Sequence, residues 1–262
     1  MASTRAEHLA TIDSIGTDSV ILEARRLDGG PYLDVGIPGA LVVSLEDDLA
    51  GAGGGEAGRF PLPSSLDLAA RLELWGIHDD SDVVIYAATA ASVTAATRAW
   101  FVLRWAGLTR VRVLDGGIDA WPATSTPLVA HSTPPGGGTA TVRPGSLPTI
   151  DADGAAATAA KGTLWDARDA EHFTGNSSKS GHIPGAQLQP GANLFDDVYL
   201  RSEEFIARAL DCDPDAEIGA YCGGGVAATA IVFALATLGR RAPLYVASWS
   251  GWSSDATRPV AR

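Results

Sequence analysis

The two halves of this 262-residue chain carry the same series of motifs, and this duplication restricts the folds that it can adopt. In each half the series begins with two apolar residues followed by an acidic residue, alanine and arginine, and continues with an Ile–Pro–Gly–Ala turn. An apolar segment that ends in tyrosine comes next, and a tryptophan closes each half. The matching segments are residues 21–25 and 164–168, residues 36–40 and 181–186, Tyr86 and Tyr221, and Trp121 and residues 249–252. Motifs repeated in one order predict two copies of one structural unit.

Within each half, short apolar segments alternate with helical patterns. Strands are expected near residues 20–23, 41–43, 83–86 and 111–114, with a helix capped by Ser64 or Ser65 and another over residues 93–106. Strands joined through helices form parallel sheets. We therefore predict an α/β protein with two tandem domains, 10–125 and 147–258, each a parallel sheet flanked by helices. The proline- and glycine-rich residues 126–146 are predicted to be the linker.

Composition restricts the partners of the chain. Hydrophobic residues make up 46% of the sequence, which is enough for substantial cores. The net charge of −12, from 31 acidic and 19 basic residues, argues against nucleic acid or an anionic membrane as a partner. No apolar run approaches a membrane span, and the first eleven residues lack the apolar core of a signal peptide. We expect a cytoplasmic protein.

Two cysteines, Cys212 and Cys222, and five dispersed histidines are too few and too scattered for a disulfide framework or a zinc site. We expect no metal and no other cofactor. Cys212 lies between Asp211 and Asp213, and acidic neighbours disfavour a thiolate, so it is predicted to be the weaker nucleophile.

Cys222 lies between a predicted strand, residues 217–221, and a predicted alanine-rich helix, residues 226–238. Such a turn directs unpaired N–H groups and the positive end of the helix dipole at the sulfur, and glycines let the backbone curl around an anion. We predict Cys222 as the nucleophile. The predicted anion-binding loop consists of Gly223, Gly224, Gly225, Val226 and Ala227. A buried structural cysteine is the alternative; a phosphate-binding loop would need a Lys and a Ser or Thr that are missing here.

The Gly–His–Ile–Pro–Gly–Ala turn, Asp166–Ala167–Arg168, the Cys–Gly–x–Gly–Val loop and the closing Ser–Trp–Ser–x–Trp together resemble the two-domain rhodanese-type sulfurtransferases over about residues 10–258. This family includes thiosulfate and 3-mercaptopyruvate sulfurtransferases. The resemblance implies an inactive first domain, in agreement with Ala87 at the position of Cys222. It also implies a Cys222 persulfide that takes sulfur from a small donor, passes it to cyanide or a thiol, and needs no cofactor.

The resemblance further implies that Arg168 binds the donor anion, with a salt bridge to Asp166, Asp169 or Glu171 as the alternative role. Asp166 and His182 are expected to serve the fold, and Trp249 and Trp252 to line the cleft or the core. Polar residues typical of the mercaptopyruvate type are replaced at Gly36, Ser44, Thr174, Gly224 and Ala227. The donor therefore stays open between thiosulfate, 3-mercaptopyruvate and another compound.

Two other classes of protein are alternatives to a sulfurtransferase. Cysteine phosphatases need an arginine six residues after the cysteine, and that position is Ala228 here. A non-catalytic sulfur-carrier or partner-binding module is favoured by the missing polar groups and disfavoured by the intact cysteine and glycines.

Overall fold

Two five-stranded sheets, one in each half, form the framework of the computed structural model, which describes residues 4–28, 30–124, 126–175, 180–213 and 215–262. The strands of the N-terminal half are β1 (Leu9–Ala10), β2 (Val20–Arg25), β3 (Val35–Gly36), β4 (Leu41–Ser44), β5 (Val83–Ala87), β6 (Val111–Leu114) and β7 (Val129–Ala130). Those of the C-terminal half are β8 (Thr149–Ile150), β9 (Thr163–Asp166), β10 (Gln187–Leu188), β11 (Phe195–Asp196), β12 (Tyr199–Leu200), β13 (Ile218–Tyr221) and β14 (Leu244–Tyr245).

The two sheets have the same strand order, which confirms the duplication. The first sheet runs β1-β6-β5-β2-β4 and the second β8-β14-β13-β9-β10, and every neighbouring pair in both is parallel. The registers also agree, because Glu23 pairs with Tyr86 in one sheet and Asp166 with Tyr221 in the other. The predicted α/β class with parallel sheets is confirmed. Cys222 follows the central strand of its sheet.

Helices cover both sheets. They are α1 (Leu45–Asp48), α2 (Ser65–Leu74), α3 (Val93–Trp105), α4 (Ala152–Lys161), α5 (Ala170–Thr174), α6 (Glu203–Ala209), α7 (Ala228–Thr237) and α8 (Ser248–Trp252). Short 3-10 helices are Thr4–Glu7, Ile12–Ser14, Gly55–Ala57, Ala90–Ser92, Gly117–Thr124 and Gly191–Leu194. Ser64 caps α2 by accepting from the Asp67 amide, as its sequence position predicts. The helix predicted over residues 226–238 begins only at Ala228, because the residues before it curve around the Cys222 sulfur.

The two halves share one apolar core. Helices α3 and α7 pack against each other, and Trp100 of α3 meets Phe233 of α7 edge to face at 5.1 Å between ring centroids. Beside this aromatic pair, the hydroxyls of Thr97 and Thr229 are hydrogen-bonded at 2.9 Å across the interface. Both aromatic rings and both threonines are fully buried. The contact between the halves is therefore a packed, buried core.

The segment predicted as a linker, residues 126–146, lies along the N-terminal half. Its strand β7 pairs antiparallel with β3, and the amides of Gly138 and Ala140 donate to the carbonyls of Glu73 and Ile77, each at 3.0 Å. These bonds hold its backbone along much of its length. The predicted end of the first domain, residue 125, lies outside the described residues. Within the described ranges, no helix has the length and apolar character needed to cross a membrane.

Candidate active site

Cys222 begins the loop between β13 and α7 and is almost completely buried, with 2% of its surface exposed. The Gly225 amide donates to the Cys222 sulfur at 3.2 Å. Gly225 has a φ of +82°, and a Cβ at this position would overlap the Val246 carbonyl oxygen. This position thus requires glycine both for its backbone conformation and for space. The predicted loop therefore does direct an N–H group at the sulfur.

A serine that the sequence analysis did not single out supports the cysteine. The buried hydroxyl of Ser248 accepts from the Cys222 amide at 3.1 Å and donates to the Tyr245 carbonyl at 2.9 Å. The same hydroxyl lies 3.9 Å from the Cys222 sulfur. Ser248 has a φ of +54°, which is rare for a residue with a side chain and is typical of functional sites. Its place in the Ser–Trp–Ser–x–Trp motif was the only signal for it in the sequence.

Arg168 lies beside the loop, and its guanidinium is held mainly by Asp166. Nε of Arg168 is 2.9 Å from Oδ1 of Asp166, Nη2 is 2.5 Å from Oδ2, and Nη2 also donates to the Gly181 carbonyl at 2.6 Å. Burial opposes the charge, but the bonds to Asp166 raise the pKa of Arg168 above its ordinary value. Of the three carboxylates that the sequence offers as salt-bridge partners of Arg168, Asp166 is the one that pairs with it. Its Nη1 is buried and has no hydrogen-bond partner in the described part of the chain.

The other residues singled out from the sequence have mainly structural contacts. Asp166 is fully buried under Arg168, and the His182 ring stacks on Phe173 with centroids 3.7 Å apart. Trp249 lies under the Arg168 guanidinium at 4.7 Å, and Trp252 donates from its ring nitrogen to the Pro259 carbonyl at 3.0 Å. Both tryptophans are buried, so they belong to the core beside the loop.

The positions of the replaced polar residues are dispersed. Gly224 and Ala227 belong to the Cys222 loop itself. Among the described contacts, Gly36 lies against Glu23, Tyr86 and His131; Ser44 caps α1 by accepting from the Asp47 amide; and the Thr174 hydroxyl donates to the Ala170 carbonyl. The structure thus does not bring these last three side chains to the sulfur.

The N-terminal half covers the Cys222 loop through a glycine-rich segment, residues 51–61, here called the covering segment. A Cβ on Gly224 would lie 3.1 Å from Arg59 Cβ and 3.2 Å from Phe60. A Cβ on Gly223 would lie 3.8 Å from Arg59 Nη2 and 3.9 Å from Arg168 Cδ. Arg59 is exposed, and no carboxylate in the described part of the chain lies within ion-pair distance of it. It is a cation at the entrance to the loop that sequence reasoning missed.

Side chains of the covering segment lie close to the Cys222 loop. Cys222 does lie at the contact between the halves, but Arg59 and Phe60 cover its loop. One cavity, of about 560 Å³, is lined by Glu56, Asp151, Tyr245 and Arg258 among others, and Cys222 is not part of its lining. This cavity is therefore not an opening to the Cys222 sulfur.

The N-terminal half retains the scaffold of the site without its sulfur. Glu23 is buried, its Oε1 accepts from Arg25 at 2.5 Å, and its Oε2 accepts from the Tyr86 hydroxyl. This arrangement repeats that of Asp166, Arg168 and Tyr221. The Tyr86 hydroxyl contacts the Ile37 amide as the Tyr221 hydroxyl contacts the Ile183 amide. Ala87 at the end of β5 occupies the position of Cys222, as predicted from the sequence.

Cys212 lies apart from this loop and has a basic neighbour that its sequence context did not reveal. The Arg240 guanidinium donates to the Cys212 sulfur at 3.1 Å. Residue 214 of the same acidic loop lies outside the described residues. No group of three or more metal-ligating side chains occurs within the described ranges.

Comparison with known proteins agrees with this geometry. A family model described as "Rhodanese-like domain" matches residues 5–124 and 151–255. The chain is similar to a protein of Mycobacterium tuberculosis provisionally named a thiosulfate sulfurtransferase, with 40% identity over 98% of this chain and 95% of that protein. It is also similar to a protein of Pseudomonas aeruginosa provisionally named a 3-mercaptopyruvate sulfurtransferase, with 37% identity over 88% of this chain and 85% of that protein.

Among solved structures, the fold is similar to that of SseA from Escherichia coli, described as a 3-mercaptopyruvate sulfotransferase, with a TM-score of 0.76 and 24% identity. The similarity covers 89% of this chain and 94% of that one. The family model matches both halves, and both sheets have one strand order. The chain therefore belongs to the rhodanese family, with two rhodanese-like domains in tandem.

Proposed function

We propose that this protein is a sulfurtransferase that moves a sulfane sulfur from a small anionic donor to a thiophilic acceptor, cyanide or a thiol, through a persulfide on Cys222. The observation that carries the proposal is the Cys222 sulfur at a strand-to-helix turn, accepting from the Gly225 amide at 3.2 Å. A thiolate in such a turn is stabilised by backbone N–H groups without a metal.

The reaction proceeds in two balanced steps. The Cys222 thiolate attacks the outer sulfur of the donor, a sulfur–sulfur bond forms, and the bond from that sulfur to the rest of the donor breaks. The electron pair leaves with the desulfurated product, which is sulfite when the donor is thiosulfate. The acceptor then attacks the outer persulfide sulfur, and Cys222 returns as a thiolate.

Donor binding is assigned to two cations and the loop. Arg59 offers an exposed guanidinium, Arg168 offers its unpartnered Nη1, and the loop of Gly223, Gly224, Gly225, Val226 and Ala227 offers backbone N–H groups. Guanidinium groups suit sulfonate and carboxylate oxygens. The name of the M. tuberculosis relative supports thiosulfate as the donor of this protein. 3-Mercaptopyruvate is the second candidate, and the name of the P. aeruginosa relative supports it.

We propose a division of labour between the halves. The domain of residues 147–258 carries the reacting sulfur, the domain of residues 10–125 covers it without taking sulfur itself, and residues 126–146 connect them. The reaction needs no cofactor, because Cys222 carries the transferred atom. A reducing compartment keeps both thiols free, so we propose the cytoplasm.

Steady-state kinetics test the proposed function. Thiosulfate and 3-mercaptopyruvate should each be turned over with cyanide as acceptor, with at most a modest preference, and Cys222→Ser should abolish both activities. Cys212→Ser is the matched control and should keep them. A folded native protein that turns over neither donor would instead support a sulfur-carrier or partner-binding module.

A further inference from the structure

Arg98 of α3 is a completely buried arginine from the N-terminal half that reaches the Cys222 loop. Its Nη1 donates to the Gly225 carbonyl at 3.0 Å. Its Nη2 donates to the carbonyls of Phe60 and Pro61, each at 3.0 Å, and of Leu49 at 3.1 Å. Arg98 therefore connects the covering segment to the loop that holds the reacting sulfur.

All of these acceptors are neutral. Within the described part of the chain, no carboxylate lies within ion-pair distance of Arg98. Burial lowers the pKa of Arg98 to about 10, while the nearby Cys222 sulfur acts in the opposite direction. Arg98 thus remains a cation at neutral pH. A buried charge without a counter-ion is unfavourable, so an anion nearby gains stability from it.

Gly225 links this cation to the sulfur. Its carbonyl accepts from Arg98, and its own amide donates to the Cys222 sulfur at 3.2 Å. Resting on the proposed function, we infer that Arg98 is a positioning residue that favours the anionic sulfur of Cys222, both as thiolate and as persulfide, through its buried charge and its bond to Gly225. The half without a catalytic cysteine thereby supplies the charge that compensates the transferred sulfur.

Other ionisable groups also face the loop, and their surroundings differ from that of Arg98. Arg59 is exposed, so water and salt screen its charge. Arg168 is paired with Asp166, so little net charge from that pair reaches the sulfur. Burial and the nearby Asp166 raise the pKa of Tyr221, which keeps this hydroxyl neutral. Within the described residues, Arg98 is buried and has no carboxylate within ion-pair distance.

The test is the pH dependence of Cys222 alkylation by iodoacetamide, followed by peptide mass spectrometry. Arg98→Gln keeps hydrogen-bond donors but loses the charge, and it should raise the midpoint of alkylation by about one pH unit or more. Arg98→Lys keeps the charge and should stay within about 0.3 unit of the native midpoint. Arg104→Gln, on the same helix but hydrogen-bonded to the Thr109 carbonyl, is the control and should match the native protein.

A folded Arg98→Gln protein with the native midpoint would overturn the inference, as would an equal shift in Arg98→Lys. If Arg98→Gln does not fold, the melting temperatures of the native protein and of Cys222→Ala are compared from pH 6 to 9. The native protein should gain stability over Cys222→Ala as the pH rises and the thiol ionises. A constant difference would contradict the inference. Neither measurement needs sulfur transfer, so failure of the proposed function would be seen separately.

Discussion

Two arginines flank the Cys222 loop, and their surroundings give them different tasks. Arg168 is buried and forms a bidentate ion pair with Asp166, which is itself fully buried. Arg59 is exposed, and a Cβ on Gly223 would lie 3.8 Å from its Nη2. An exposed guanidinium can bind an incoming anion without first breaking an internal ion pair. Arg59 is thus the better placed of the two for the first contact with a donor.

Arg59→Ala should lower kcat/KM about ten- to hundredfold for both donors, since removal of one charge-assisted contact costs about 1.5–3 kcal/mol. The melting temperature should hardly change, because the Arg59 side chain is exposed. The control is Arg71→Ala, an arginine of the same half that pairs with Asp48 on the surface of α2. Unchanged steady-state kinetics for Arg59→Ala would assign donor binding to the loop amides and Arg168.

Arg168→Ala should behave differently, with its main effect on stability. The substitution leaves the Asp166 carboxylate buried and unpaired, a change that typically costs about 3–5 kcal/mol. Chemical denaturation should reveal this loss, while Arg59→Ala should show almost none. If Arg168→Ala unfolds like the native protein and loses only kcat/KM, donor binding is the main task of Arg168 and its ion pair with Asp166 is dispensable for the fold.

Among individual residues, the sequence predicts those whose place in the site follows from the residues next to them in the chain. The positions of Cys222 and Gly225 at a strand-to-helix turn were predictable, because a strand, a cysteine, three glycines and a helix follow one another. Arg59 and Ser248 were not, since their roles depend on which segment folds back over the loop and on an unusual φ. Nothing near Arg59 in the sequence relates it to a cysteine in the other half.

Among the elements, the covering segment and α8 decide how open the site is. The Arg59 amide donates to the Ser250 hydroxyl at 2.9 Å, and Gly58 packs directly on Ala247 just before α8. The φ of Gly58 is +79°, and a Cβ there would overlap the Ala247 carbonyl oxygen. A side chain at Gly58 must push the covering segment away from the C-terminal half.

Gly58→Ala should therefore expose the sulfur, and Cys222 should be alkylated several times faster at a fixed pH. Gly55→Ala is the matched control, because Gly55 also has a positive φ, of +51°, but has open space around its Cβ position. Both variants place a side chain at a positive φ, and only Gly58→Ala adds the overlap with Ala247. Equal alkylation rates in the two variants would show that the covering segment does not limit access to Cys222.

Elements with strong local signals were predictable, including β5, the helix capped by Ser64, and α3. The course of residues 126–146 was not, because glycine and proline indicate an irregular backbone but not the surface on which it lies. The segment is held there by hydrogen bonds to α2 and β3, which are tertiary contacts that the local sequence does not encode. Helix α7 begins at Ala228 rather than at the predicted residue 226 for a related reason. The contacts of the preceding loop with the Cys222 sulfur and the Val246 carbonyl determine its path.

The whole molecule depends on the core that the halves share. His8 is buried against Trp100 at 5.4 Å between ring centroids, and Trp100 in turn contacts Phe233 of the other half. Nδ1 of His8 has no hydrogen-bond partner within the described residues. Burial, with a smaller effect from Arg104, lowers the pKa of His8 to about 4. A protonated His8 is therefore disfavoured in the folded protein.

The lowered pKa of His8 makes the stability of the folded protein depend on pH. Between about pH 6.5 and 4 the unfolded chain binds a proton at His8 and the folded protein does not, so stability falls as the pH falls. The unfolding free energy, measured with urea, should fall between pH 7 and pH 4 by about 2–3 kcal/mol less in His8→Phe than in the native protein. His78→Gln, at an exposed histidine, is the control. Parallel pH profiles for native protein and His8→Phe would contradict this account of His8.

The central claim is that Cys222 carries the transferred sulfur, and peptide mass spectrometry after incubation with a donor tests it most directly. The native protein, treated with thiosulfate or 3-mercaptopyruvate, should gain about 32 Da on the Cys222 peptide, the mass of one sulfur atom. Cyanide should remove this mass, and the Cys212 peptide should keep its native mass. A sulfur found on Cys212, or no added mass on Cys222 with a donor that the enzyme turns over, would contradict the account.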